Sequence, residues 1–341
     1  MLQGILPWGR WWRRRLATPD FFDALVTVRT GDGHAIVLGR FAPQGEASPL
    51  PPVVLCHGLA MNRRTFALEP GSGLAQRLAA KGRDVWVLEL RGASPEADDP
   101  SLRACGFDQY ARWDVPAALA HVREATGAPY VDWVGFSMGG MLAYAHLGAL
   151  KGGSLRRLVT IGSPQHFRDL HPAHAFGRRL LPLYRGLSRA PLGILSAAVA
   201  PLLRPWFPPW LTAGLRPAHY TRELLPRALA GAMADVPFGV MQQFGRWVTE
   251  DRLTSDDGVY DYRQGLSLVE VPTLLVAGDR DSLAPPSSVT FAYENLGARE
   301  KVLLVVGGEG YGRSFDHLDL VLGLHAPAVV FPHVEAWLDH R

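Results

Sequence analysis

A serine framed by glycines opens the reading of this 341-residue chain: Gly135-Phe136-Ser137-Met138-Gly139-Gly140. It follows the apolar run Val131-Asp132-Trp133-Val134 and begins a stretch rich in alanine and leucine. That context predicts a tight strand-to-helix turn that projects the Ser137 hydroxyl from a sheet edge, where a nucleophile stands. The flanking glycines suit such a turn, because backbone crowds it and a β-carbon would clash. A serine hydroxyl attacks a carbonyl only when a base takes its proton and an acid orients that base. The oxyanion that forms needs two N–H donors aimed at one point.

The Met138 N–H, at a helix N-terminus, is one predicted donor. Leu59 N–H, in Cys56-His57-Gly58-Leu59, is the other, with Ala60 as its alternative. His57 lies at a strand end, well before the serine, and is read as shaping this loop. Behind a G-x-S-x-G elbow of this kind the chain order is nucleophile, acid, base. The acid is expected just past a late strand, where Thr273–Gly278 runs into Asp279-Arg280-Asp281. Asp281 is the predicted acid, and Asp279 a turn residue that bonds nearby N–H groups. His317, in Phe315-Asp316-His317-Leu318-Asp319, is the predicted base. Asp316 and Asp319 are expected to fix its loop. His325, His333 and His340 read as surface or packing residues. His166, His171 and His174 cluster without a carboxylate or cysteine at ligand spacing beyond Asp169, so they read as cap surface or pocket lining. Asp256-Asp257-Gly258 reads as a turn, because the remaining ligand positions of a calcium loop are missing. The chemistry requires no metal or organic cofactor.

These side chains need a frame. Val26–Arg29 and Ala35–Phe41 flank Gly31-Asp32-Gly33, a hairpin signal. Pro52–Cys56 is a continuous apolar run suited to a strand covered on both faces. Asp84–Leu88, Tyr130–Phe136, Leu158–Ile161, Thr273–Ala277 and Val302–Val306 read as further strands. Helix-like stretches alternate with them: Gly73–Lys81, Phe107–Ala125, Met138–Leu150, Ser287–Leu296 and Ala328–Asp339. In the second of these Tyr110, Trp113, Ala117 and Val122 are expected to share one face. Such alternation predicts a mostly parallel sheet with helices on both faces. The alternation stops over 164–262, which holds 11 of the 27 prolines. It reads as a helical cap inserted after the sixth strand and carrying Trp206, Trp210 and Trp247, its apolar stretch either a greasy interior or a surface that touches lipid. The core is expected over 21–163 and 263–341.

Composition bounds the rest. An apolar fraction of 48% and a charged fraction of 20% are those of a globular chain, not a disordered or fibrous one. The net charge is +3, and four arginines (Arg10, Arg13, Arg14, Arg15) with no acid occupy residues 1–15. The body is therefore close to neutral, which argues against a nucleic-acid-binding domain. Residues 1–20 read as a basic, tryptophan-rich arm, either a frayed or cap-packed terminus or one seated at an anionic lipid surface. Two cysteines, Cys56 and Cys105, cannot staple a chain of this length, so a reducing, cytoplasmic setting is expected. No signal peptide is expected, and no apolar stretch reaches membrane-spanning length.

With these residues in view, the sequence resembles the α/β-hydrolase superfamily, and within it the acid-lipase/gastric-lipase branch and related bacterial esterases. Leu55-Cys56-His57-Gly58-Leu59 is similar to that branch's HGL loop. Asp84-Val85-Trp86 through Arg91-Gly92 resembles its DVWLGNxRG strand, and Asp114-Val115-Pro116-Ala117 its YDLPA helix. His317-Leu318-Asp319-Leu320-Val321-Leu322-Gly323 with Ala326-Pro327 is similar to its HLDFIWG…AP tail. The elbow differs, with Phe136 and Met138 where those lipases have His and Gln. The resemblance implies an α/β-hydrolase fold and a serine esterase acting through an acyl-enzyme. The apolar cap suggests a hydrophobic small-molecule ester as substrate. The alternatives are an acyltransferase or thioesterase with the same triad, and a non-catalytic, membrane-associated binding protein on this scaffold.

Overall fold

Alternating side chains along the central strands explain the architecture. In Val53–Cys56, Val54 and Cys56 join one apolar cluster while Val53 and Leu55 join another. Trp86 and Leu88 divide from Val85 and Val87 in the same way, as do Leu275 and Ala277 from Leu274 and Val276. Successive residues of a strand face opposite sides, so a continuous apolar run requires both sides to be covered. The computed structural model describes residues 2–16, 19–94, 99–169, 186–202 and 214–340.

An eight-stranded sheet results. Its strands are β1 (Ala24–Arg29), β2 (Ala35–Phe41), β3 (Val53–Cys56), β4 (Val85–Glu89), β5 (Val131–Phe136) and β6 (Leu155–Ile161). Two two-residue strands, β7 (Arg189–Ala190) and β8 (Val236–Pro237), pair only with each other. β9 (Thr273–Gly278) and β10 (Lys301–Val306) complete the large sheet. The spatial order is β1-β2-β4-β3-β5-β6-β9-β10. Within the large sheet the β1–β2 hairpin and the β2–β4 pair are antiparallel, and every other pair is parallel. Helices Val115–Thr126, Met138–Leu147 and Pro286–Asn295 contribute to one apolar cluster. Helices Leu74–Ala80 and Phe331–Asp339 contribute to the other. The chain thus has the expected mostly parallel sheet between helical layers.

Between β6 and β9 the described residues add no strand to the large sheet. Helices Leu192–Val199 and Phe238–Glu250 occupy part of this insertion, and the β7–β8 ladder is a feature that the proline-rich sequence did not suggest. The insertion is not a detached lobe. Val236, Val240, Trp247 and Tyr262 belong to the same cluster as Leu88, Trp133 and Met141. Trp247 therefore packs in the core, against Phe107, Phe244 and Tyr262, rather than lining a cap interior. Trp206 and Trp210 lie outside the described residues. Trp113 also departs from expectation, being 41% exposed. A π-type turn over Tyr110–Asp114 adds a residue to the helical repeat and shifts Trp113 off the buried face of Tyr110. Trp113 instead lies against the hairpin turn at Gly31.

Residues Leu2–Leu16 form a helix. It lies on the helix Leu192–Val199, where Gly9 fits against Ile194 with no room for a β-carbon. Trp8 Nε1 donates to the Ala198 carbonyl at 3.2 Å, and Arg13 to the Met233 carbonyl at 3.1 Å. Among the described residues no helix is long and apolar enough to cross a membrane.

Candidate active site

Ser137 follows β5 and serves as the N-cap of the helix Met138–Leu147. Its φ of 53° and ψ of −117° are unusual for a residue with a side chain. Such a conformation costs about 1–3 kcal/mol and persists only where the surroundings hold it. The two elbow glycines show how. A β-carbon on Gly135 would strike the backbone of Gly139 and Gly140, and one on Gly139 would strike the Cys56 carbonyl at the end of β3. The strand, the helix and the neighbouring strand end can meet only because both positions lack side chains.

The loop after β3 lies against the serine. A β-carbon on Gly58 would stand 2.9 Å from Ser137 Cβ. His57 shapes this loop from inside the protein. Its Nδ1 meets the Gly58 carbonyl at 2.9 Å, and its Nε2 accepts the Leu90 N–H at 3.3 Å. Those partners require the neutral ring with its proton on Nδ1. Burial pushes the His57 pKa down to about 4, aided by Arg63 and opposed by the Gly58 bond. Ala60 takes a positive φ of 58°, and its carbonyl accepts the Ala234 N–H at 2.8 Å. Leu59 is half-buried between them. The Met138 N–H, in the first turn of its helix, has no acceptor within that helix.

Asp281 and His317 meet inside the protein. His317 Nδ1 lies 2.8 Å from Asp281 Oδ2, and both residues are buried. Asp281 Oδ1 accepts the N–H groups of Leu283 at 2.9 Å and Ala284 at 2.7 Å, so both carboxylate oxygens are engaged. Asp279 does different work. Its Oδ1 accepts the Phe315 N–H at 2.7 Å, and its carboxylate fills the space beside Gly307. It ties the loop after β9 to the loop after β10 without reaching the histidine.

The imidazole ring of His317 lies against Phe136, the residue before the serine, with ring centroids 4.7 Å apart. Gly162, at the end of β6, has a positive φ of 55° and faces both Asp281 and His317. Ser137, Asp281 and His317, set far apart along the chain, are thus gathered at the carboxyl ends of β5, β9 and β10. Ligands bind at this edge in open α/β sheets.

Several supporting groups hold these loops in place, two of them the aspartates expected to do so. Asp316 Oδ1 accepts from Ser282 N at 2.9 Å and from His317 N at 2.8 Å, joining the Asp281 turn to the His317 loop. Burial pushes the Asp316 carboxyl up. The fully buried Asp319 accepts the Asp316 N–H at 3.0 Å and the Arg216 N–H at 3.1 Å. Gly214 donates to Ser282 Oγ at 2.9 Å, and its carbonyl accepts the Leu318 N–H at 2.7 Å. The inserted segment therefore laces across both loops. Asp316 and Asp319 were expected to fix this loop, whereas Ser282 and Gly214 stood in no motif of the sequence. His166 is buried edge-on against Phe291, 5.8 Å between centroids, and His171 and His174 lie outside the described residues. Both cysteines are free and buried, and burial pushes their thiols up. At the Asp256-Asp257-Gly258 turn, Asp257 Oδ1 accepts the Val259 N–H at 3.0 Å.

The chain belongs to the alpha/beta hydrolase fold family, whose sequence model matches residues 51–309. It resembles human lipase member K, 33% identical over 132 residues, which are 34% of this chain and 32% of that protein. It also resembles the human lysosomal acid lipase/cholesteryl ester hydrolase, 30% identical over 136 residues, which are 35% of this chain and 34% of the other. The matches thus span about a third of these curated relatives. In structure the chain is similar to a thermophilic esterase from Thermogutta terrifontis, with a TM-score of 0.62 and 18% identity over 92% of this chain and 98% of the other. A membrane phospholipase A is similar over 99% of this chain and 91% of its own, with a TM-score of 0.55 and 17% identity. At these identities the structural likeness is one of fold.

Proposed function

We propose that this chain is a serine hydrolase that cleaves carboxylic esters of hydrophobic acyl groups. The observation that carries the reading is the buried Asp281–His317 hydrogen bond beside the elbow that presents Ser137. In the proposed reaction His317 Nε2 takes the proton of Ser137 as Oγ attacks the ester carbonyl carbon. The Leu59 and Met138 N–H groups donate to the oxyanion that forms. The intermediate collapses, the bond from carbonyl carbon to alkoxide breaks, and His317 returns the proton to the leaving alcohol. Water, deprotonated by His317, then attacks the acyl-enzyme. The acid departs and Ser137 regains its proton. Asp281 holds the Nδ1 proton, which keeps Nε2 for the serine and stabilises the imidazolium.

Two features support an apolar acyl group. Half-buried Leu59 and Leu283 lie near the serine and the histidine. The relatives are named as lipases, one of them also as a cholesteryl ester hydrolase. In this reading residues 164–262 act as a cap whose 214–216 segment borders the site.

A fluorophosphonate probe is expected to label the wild-type chain and not Ser137→Ala. Hydrolysis of p-nitrophenyl esters is expected to favour medium acyl chains over acetate. Asp281→Asn should lower kcat by about ten-thousandfold, because the imidazole then holds the wrong tautomer. Asp279→Asn should retain most activity. Labelling that survives in Ser137→Ala, or equal losses in the two aspartate variants, would overturn the assignment.

A further inference from the structure

The N-terminal helix presents a surface that ester hydrolysis does not explain. Its inner side is used up in packing: Gly9 is buried, while Trp12, Arg13 and Leu16 are half-buried. Its outer side holds Trp8 and Trp11, 49% and 52% exposed, with exposed Arg10, Arg14 and Arg15 around them. Positions 8, 11 and 15, like 7, 11 and 14, recur at three and four residues and so share a helix face. The tryptophans are ordered against each other. Trp8 stacks on Trp11 at 5.9 Å, and Trp12 meets both edge-on.

The apolar area continues onto the next helix. The bond from Trp8 to Ala198 brings it beside Val199, which is 46% exposed, and Leu202 follows at 58%. Arg13 bonds Met233, Ala234 N bonds Ala60, and Asn62 bonds Ala232, so this face is tied to the loop that carries Leu59.

We propose that this face docks the protein on an anionic phospholipid bilayer. Charge complementarity selects the occupant. No acid occurs before Asp20, while the rest of the chain is nearly neutral, so the positive field is concentrated here. Exposed indoles seat at the headgroup boundary, aliphatic side chains enter the acyl layer, and arginines reach back to lipid phosphates. A nucleic acid would neutralise the arginines but leave Val199 and Leu202 in water. A second copy packed on the same face would set Arg10, Arg14 and Arg15 against their own copies. A bilayer satisfies the cations and the apolar side chains together. Docked this way, the molecule turns its inserted segment toward the lipid.

The test is co-sedimentation of the full chain with two kinds of vesicle. One is phosphatidylcholine alone, and the other contains about a third phosphatidylglycerol. Sedimentation reads binding without any turnover, so its outcome is independent of the proposed hydrolysis. Wild type is expected to bind the anionic vesicles, to prefer them strongly over neutral ones, and to lose binding at high salt. The triple variant Arg10→Gln, Arg14→Gln, Arg15→Gln should bind about a hundredfold more weakly. Trp11→Ser should bind about tenfold more weakly. All four positions are exposed and distant in sequence from the site, so melting temperature and turnover of a water-soluble ester should be unchanged. The proposal is overturned if wild type ignores anionic vesicles or if the triple variant binds as wild type does. It is also overturned if Trp11→Ser abolishes a concentration-dependent dimer in a chain that binds no vesicle.

Discussion

Burial keeps His57 neutral, and that neutrality lets one ring both donate to Gly58 and accept from Leu90. Protonation would turn Nε2 into a donor facing the Leu90 N–H. The linkage has a definite sign. The unfolded imidazole titrates near 6.5 and the folded one near 4, so between those values the unfolded chain binds the extra proton. The stability this histidine contributes is complete above pH 6.5 and falls away as the pH drops toward 4. The loss between pH 7 and pH 4 is about 3 kcal/mol. His57→Asn escapes this loss, although it leaves the Leu90 N–H without its acceptor. Urea unfolding of both proteins should therefore show their stability gap narrowing by about 3 kcal/mol from pH 7 to pH 4. Parallel profiles would show that His57 titrates alike in the folded and the unfolded chain.

Arg91 binds elements together where the antiparallel hairpin meets the parallel sheet. It stands just past β4, and its guanidinium bonds Asp32 in the β1–β2 turn and Asp114 before the helix Val115–Thr126. Its own N–H also donates to Asp114 at 3.1 Å, and its carbonyl accepts the Tyr110 hydroxyl at 3.1 Å. Burial pushes the Asp114 carboxyl up to about 6 despite the arginine, whereas the Arg91 and Thr30 partners hold Asp32 down near 2. Removing the arginine side chain alone leaves the buried Asp114 without its cation, with only the backbone N–H of residue 91 still bonded to it. Arg91→Met should lower the unfolding free energy by about 3–5 kcal/mol. Arg91→Met with Asp114→Leu should recover most of that loss, because an apolar pair of similar volume avoids the desolvation cost. Urea denaturation of the three variants checks the ordering.

At the scale of the molecule, the insertion and the sheet share one core. Trp247, fully buried, donates its Nε1 to the Thr254 carbonyl at 2.8 Å and stands 5.0 Å from Phe107, ring centroid to ring centroid. A core continuous across both parts predicts one cooperative unfolding transition. Near-ultraviolet and far-ultraviolet dichroism should give coincident melting curves. Trp247→Ala should cost about 3–5 kcal/mol and still melt in a single step. An early transition confined to the tertiary signal would show that the insertion unfolds on its own.

The strand pattern was legible because apolar runs mark the strands, continuous where both faces of the sheet are covered as in β3, β4 and β9, and each run found in the sequence became a strand within three residues of its expected limits. The elbow was legible because only glycine fits where backbones cross, and Gly135 and Gly139 do sit at such crossings. Local signals of this kind determined the sheet, its helical layers and the short set of candidate groups. Other features depended on contacts between segments far apart in the chain. The loop after β10 bonds both Asp279 and Asp281, two residues apart on one turn, and only the tertiary structure shows which of them the His317 ring reaches. The outward turn of Trp113, the core position of Trp247 and the lacing of Gly214 through both loops leave no periodicity to read. The sequence by itself determined which residues are able to do the chemistry and which runs must be buried. Only the tertiary structure decided which of them meet, because each such contact joins distant residues whose separation carries no local energetic signature.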